Sequence, residues 1–264
     1  MPMRSVPPLA LAAGLFAVMP AAAGPSLVVL DESGMLLVFD AERPGVVRQE
    51  RPDVRARLVA VDVRPADARL YGVSVTNDLY RIDPTNGAAE LVASLTAPFN
   101  GDIRSGADFN PQADRLRLVS TDGQNLRLNV ALGAVAVDRP LAYAATDRHA
   151  GQRPRITAAA YSNNVRDAAT TKLFEIDAET DSLVVQDPPN DGVLVTIGPL
   201  GVDFGPFGGF DVASEHGVDV AWAASGATLF RIDLGSGQAT AMGTIGDGSR
   251  STASLAVIPA IPGS

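Results

Sequence analysis

Asp62, Asp108 and Asp211 stand at the same place in three short apolar segments, VAVDV, GADFN and GGFDV. Aligning the related segments adds Tyr161 and Ala256 at that position, with Arg64, Asn110, Asn163, Ala213 and Ile258 two residues later. Three carboxylates gathered at one point repel one another and rise in pKa unless a cation, Arg64 or backbone N–H groups compensate. A hard, oxygen-liganded ion such as Ca2+ is the metal that this donor set would take. Two other readings stand beside it. Aspartates on buried strands commonly accept hydrogen bonds from neighbouring backbone donors. Paired acids around a channel also suit hydrolysis of a glycosidic bond or a lactone, with or without a divalent cation.

A second set of chemistry-bearing residues lies between the apolar segments. Phe99, Asn100 and Asp102, then Tyr143, Asp147, Arg148 and His149, then Asp203, Phe204 and Phe207 mix aromatic, amide and acidic groups on three long connections. Such connections on a rigid scaffold suit a glycan, a small molecule or a protein surface. The competing reading has Phe99, Phe204 and Phe207 plug the connections onto the scaffold. With no cysteine, and with His149 and His216 as the two histidines, thiol chemistry and multi-histidine metal sites are excluded. No G-x-S-x-G elbow and no twelve-residue calcium loop occurs, and Asp187-Pro188-Pro189-Asn190-Asp191-Gly192 reads as a proline-stiffened turn. A net charge of −9 argues against nucleic acid or anionic lipid as partner.

What must position these groups is a set of strands. From Ser26 onward β-branched and aromatic residues alternate with polar ones, and Gly, Pro, Asn and Asp fill the gaps. The module DLYRIDPTNGAAELVASL at Asp78 is echoed by LLVFDAERPGVV, NLRLNVALGAVAV, KLFEIDAETDSLVV and TLFRIDLGSGQATAMGTI. Hairpins such as LVAVDVRP-ADA-RLYGVS and GADFNP-QAD-RLRLVS precede two of them. A repeat of about 47 residues with four antiparallel strands matches a propeller blade. In the fourth unit the spacing assigns KLFEID to the second strand, followed by SLVVQ and VLVTIG. The chain starts without a first strand and ends with an orphan, SLAVIP at Ser254. Pairing that orphan with LVVLD at Leu27 closes a five-bladed, all-β propeller and removes the exposed sheet edges. In each unit the turns from the first to the second strand and from the third to the fourth are short. The connections between units are long and share a face with the turns from the second strand to the third, which makes that face the candidate binding surface.

Residues 1–23 read as a secretory leader: Arg4, an apolar stretch from Leu9 to Val18, and Ala21-Ala22-Ala23 before the cut. The apolar run is shorter than the roughly 20 residues of a membrane span, so the expectation is an exported monomer, periplasmic or extracellular, with residues 24–264 as one domain. The strings DFNPQADRLRLVS, DGQNLRLN, AAAYSNN, QDPPNDGVLVTIGPLGVDF and GGFDV resemble, in order, the hallmarks of the domain of unknown function 4394 family. The resemblance implies an exported bacterial β-propeller-like domain and carries no catalytic set. The function expected is therefore a non-enzymatic binding or scaffold propeller that uses the long-connection face. The alternative is a hydrolase or lactonase-like enzyme acting through the channel carboxylates.

Overall fold

The computed structural model describes Met1, residues 24–215 and residues 217–258. Apart from Met1 the expected leader lies outside the described residues, as do His216 and Pro259. Alternating apolar residues form strands where turn residues bound them. Blade one receives β1 (Ser26–Asp31), β2 (Leu36–Asp40) and β3 (Arg48–Glu50), and blade two β4 (Leu58–Arg64), β5 (Arg69–Ser74), β6 (Asp78–Ile82) and β7 (Ala89–Ser94). Blade three holds β8 (Ser105–Asn110), β9 (Arg115–Ser120), β10 (Asn125–Leu128) and β11 (Val135–Val137). After a short β12 (Ala142–Tyr143), blade four holds β13 (Ile156–Tyr161), β14 (Leu173–Asp177), β15 (Ser182–Gln186) and β16 (Val193–Pro199). Blade five holds β17 (Gly208–Glu215), β18 (Val218–Ser225), β19 (Thr228–Ile232) and β20 (Ala239–Thr244).

The last strand, β21 (Thr252–Ile258), returns to blade one and pairs antiparallel with β1, Leu27 opposite Val257 and Val28 opposite Ala256. Each blade thus has four antiparallel strands, to which blade four adds the short β12, and the innermost strands β21, β4, β8, β13 and β17 pack side by side in a closed ring. The chain is a five-bladed β-propeller closed by its own C-terminal strand. Closure gathers the free edges of the five inner strands around the axis, short and protected, and gives blade one its full set of strands, which is why split end strands are tolerated.

The core consists of five apolar clusters, one at each junction between neighbouring blades. Inner strands therefore bury both faces, as the all-buried stretches of β4 and β13 show. Close approach at the axis demands small residues there. A Cβ on Gly106 would sit 2.6 Å from the Ala159 nitrogen, and one on Gly209 would sit 2.2 Å from the Leu255 nitrogen. The Asp or Asn at or just past the end of the third strand of four blades caps the turn that follows. Asp40, Asp83, Asn129 and Asp233 each accept backbone N–H bonds from residues two or three further on.

One connection differs from expectation. The long connection between the third and fourth units, Arg139 to Arg153, contains β12, which runs parallel to β16 and makes blade four five-stranded. Its Ala142 and Ala144 N–H groups donate to Gly192 and Leu194, covering a sheet edge that would otherwise be bare.

Candidate functional site

Asp62 on β4, Asp108 on β8 and Asp211 on β17 meet at the axis, each offering a carboxylate oxygen within 4.8 Å of the others. They are 2%, 0% and 0% exposed. Each carboxylate straps its blade to the next one round the ring. The Phe109 N–H donates to Asp62 Oδ2 at 2.7 Å, the Tyr161 N–H to Asp108 Oδ1 at 3.2 Å, and the Val257 N–H to Asp211 Oδ2 at 2.6 Å. Val63 and Val212 N–H groups donate to the remaining oxygens of Asp62 and Asp211, at 2.7 and 2.6 Å. Asp108 Oδ2 takes no donor from the backbone, and the carboxyl of Asp211 lies beside that of Asp108, within reach of a hydrogen bond when one of the two is protonated.

Burial is the main cause that pushes all three carboxyls above the usual range. The charge of Asp211 adds to it at Asp62, and the charges of Asp62 and Asp211 add to it at Asp108. Backbone donors pull in the opposite direction without cancelling the effect. Arg64 does not compensate the cluster: its guanidinium binds Asp114 through Nε at 2.7 Å and Asp67 at 3.1 Å, away from the axis. Arg117 lies directly across from Asp108 in the sheet, yet it turns to Asn125, Asp138 and Asn190. Among the described residues none of the three aspartates is in an ion pair. Hydrolysis needs space for a substrate between acid and base. Carboxylates with at most 2% of their surface exposed, five of their six oxygens held by backbone N–H groups, leave no such space.

On the long-connection face the structure separates the expected residues into three groups on three connections. Phe99 is buried in the cluster between blades two and three, and Phe204 in the one between blades four and five, so neither ring can meet a ligand. Tyr143 is buried as well, and its hydroxyl binds Asp177. These three correct the expectation of a ligand-facing aromatic set, because a connection that crosses a propeller face must be anchored by whatever apolar side chains it carries. Phe207 is half-buried, and Asn100 and Asp203 are exposed. Asp102 is tied to Arg104, at 2.7 Å from its Nη2. Asp147 accepts the Thr196 N–H at 2.6 Å, and the His149 ring lies 5.4 Å from that of Tyr143.

Backbone donors fix two of these connections to the turns beneath. The Phe99 N–H donates to Asn77 Oδ1 at 2.6 Å, the Asn100 N–H to Gln124 Oε1 at 2.6 Å, and the Phe204 N–H to Asp181 Oδ1 at 2.9 Å. A recess of about 340 Å3 opens where the connection Ile245–Arg250 meets Leu37, Val46, Val47 and Gln49 of blade one.

Sequence reasoning missed Glu175 and Arg117. Glu175 is fully buried between blades three and four with both oxygens unpartnered, and Arg117 is 2% exposed amid Tyr161, Asn125, Asp138 and Asn190. The available signal was a charged residue at an apolar place in a second strand, in KLFEID and RLRLVS.

Closed blades, a filled axis and anchored connections define a small β-propeller, and no helix among the described residues is long and apolar enough to cross a membrane. The chain belongs to the family described as domain of unknown function (DUF4394), whose model matches residues 35–256. No curated protein matches it. The fold is similar to a protein of unknown function from Bacteroides thetaiotaomicron, at 14% identity and TM-score 0.51, covering 84% of this chain and 58% of that one. It is also similar to a chain of a nidogen/laminin complex, at 10% identity and TM-score 0.54, covering 89% of this chain and 98% of that one.

Proposed function

We propose that this protein is an exported, non-enzymatic binding or scaffold propeller that engages a polar ligand, a glycan, small molecule or protein, on the long-connection face. The observation that carries this reading is the pinning of two of the connections, at Phe99–Asn100 and at Phe204, by backbone N–H groups to side-chain acceptors in the turns below them. A surface fixed in advance loses little conformational freedom on binding. Asn100, Asp203, Phe207 and the recess beside Arg250 supply polar and apolar contacts there. The net charge of −9 favours neutral or cationic groups.

A second reading is favoured by size. A recess of about 540 Å3 on the short-turn side is lined by Asp219, Arg231, Asp233, Ser236 and Gln238. A smaller copy of about 250 Å3, with Arg69, Arg81, Asp83 and Glu90, sits at the same place in blade two. Recurrence at equivalent positions points to the splay of repeated blades, so the first reading is preferred. The test is binding of the mature chain to a panel of neutral and amino glycans, with Asn100→Ala, Asp203→Ala and Phe207→Ala set against Arg231→Ala. Weaker binding in the first three and unchanged binding in the last is expected. The reverse pattern moves the site to the short-turn side.

A further inference from the structure

We propose that Asn100 is a site of spontaneous covalent modification, where the folded chain converts its own side-chain amide to aspartate and isoaspartate and so adds a negative charge to the long-connection face. The conversion stands whether or not that face binds a ligand, and any effect on binding rests on the surface reading above.

The chain holds two Asn-Gly pairs, Asn86-Gly87 and Asn100-Gly101. In such a pair the backbone nitrogen of the glycine reaches the asparagine Cγ with no β-carbon of its own in the way. A succinimide forms as the N–Cγ bond is made and the Cγ–Nδ2 bond breaks, and the glycine N–H proton leaves with the amide as ammonia. Water then opens the ring. Cleavage of the new N–Cγ bond leaves aspartate, and cleavage of the original peptide bond leaves isoaspartate. Water is the one co-reactant, and nothing is oxidised or reduced.

Both asparagines are exposed, so exposure does not separate the two pairs. Hydrogen bonding does. Gly87 is buried, its N–H donates to the Asp83 carbonyl at 2.9 Å, and the Ala88 N–H donates to Asn86 Oδ1 at 2.8 Å. The same turn is clamped by the Asp53 N–H, which donates to the Gly87 carbonyl at 2.8 Å. Ring closure at Asn86 has to break the first two of these bonds. At the other pair, among the described residues, the Gly101 N–H donates to no acceptor and the Asn100 side-chain amide enters no hydrogen bond. What is held there is the Asn100 N–H, by Gln124 Oε1 at 2.6 Å, and that nitrogen takes no part in ring closure.

The packing also dictates the glycine. A Cβ on Gly101 would sit 2.3 Å from Phe99 Cζ and 3.0 Å from Ser105 Cβ, so the ring that anchors this connection in the core requires a residue without a side chain after Asn100. The labile pair is a by-product of the anchor. Conversion places a new carboxylate two residues ahead of the Asp102–Arg104 ion pair, which makes an aged face more acidic than a fresh one.

The test incubates the folded wild-type chain, and the same chain unfolded in guanidinium, in one mildly alkaline buffer made with heavy-oxygen water. Both asparagines are then followed by peptide mapping with mass spectrometry. Heavy oxygen marks conversion during the incubation, and chromatography separates the isoaspartate peptide from the aspartate one. Unfolded, the two pairs should convert at similar rates, since each asparagine is followed by glycine. Folded, Asn86 should convert at least about tenfold more slowly than Asn100, because two hydrogen bonds hold it. Asn100→Gln should remove the acidic species that the folded wild type accumulates. Equal rates at the two asparagines in the folded chain, or loss at Asn86 ahead of Asn100, overturn the proposal. An acidic species that builds up unchanged in Asn100→Gln overturns it as well. A panel glycan that binds fresh and converted chains equally would strike the surface reading alone.

Discussion

Glu175 offers the sharpest test of the energetics of this fold. It lies mid-way along β14, opposite Ala159 on β13 and Val184 on β15, with 0% exposure and no hydrogen-bond partner for either oxygen. Burial lifts its pKa from 4.5 to about 8, while the charge of Arg117 pulls it down and that of Asp177 pushes it up. The unfolded chain ionises near the ordinary value and the native chain does not, so the native state is favoured at low pH. That advantage is complete below the unfolded pKa of 4.5 and is lost as pH rises through the folded value of about 8. The gap between 4.5 and about 8, at about 1.36 kcal/mol per unit, amounts to on the order of 5 kcal/mol.

Glu175→Gln keeps the shape and removes the titration. Guanidinium unfolding of both proteins at about pH 5 and about pH 8.5 should give similar stability at the lower pH. At the higher pH the variant should be several kcal/mol more stable, with m unchanged. The axial aspartates are present in both proteins, so their titration cancels in the difference. Parallel pH profiles for the two proteins would refute the assignment of a neutral, buried Glu175.

Three further outcomes are expected. Arg117→Met should cost roughly 1–3 kcal/mol in chemical denaturation, because it leaves the buried Asn125 side-chain oxygen without its donor and removes the link to Asn190, while Asp138 keeps its pair with Arg127; a loss below about 0.5 kcal/mol would show that the network is not holding blade four to blade three. Phe204→Ala should cost roughly 3–5 kcal/mol, since its ring is 0% exposed, while the adjacent exposed Asp203→Ala stays within about 0.5 kcal/mol; equal effects would mean that the connection is not anchored. Deleting residues 252–264 removes β21 and should abolish cooperative thermal unfolding, whereas retention of a single sharp transition would show that blade one does not need its C-terminal strand.

Much of the frame was legible in the chain. Asp40, Asp83, Asn129 and Asp233 mark turns through a local interaction of a side chain with backbone two or three residues on, so their spacing reports blade period directly. The fourth blade, assigned from KLFEID, SLVVQ and VLVTIG, has that strand order in the structure. The short β12 was not legible, because two residues carry no periodicity and their pairing partner lies some fifty residues away in the sequence. Alignment of inner strands brought Asp62, Asp108 and Asp211 to one level. It did not reveal that Arg64 leaves them for Asp114.

By itself the sequence determined the all-β class, the five-fold repetition and the circular closure, because strand alternation and turn chemistry are local and an unpaired first and last strand have one economical solution. Tertiary structure alone decided which polar groups face solvent and which are sealed. Phe99, Tyr143 and Phe204 turned inward, Asn100 and Asp203 stayed outside, and Glu175 and Asp108 were left buried without full partners. Those outcomes depend on what the next blade places against each side chain, and burial by a neighbour distant in the chain leaves no periodic trace in the residues themselves.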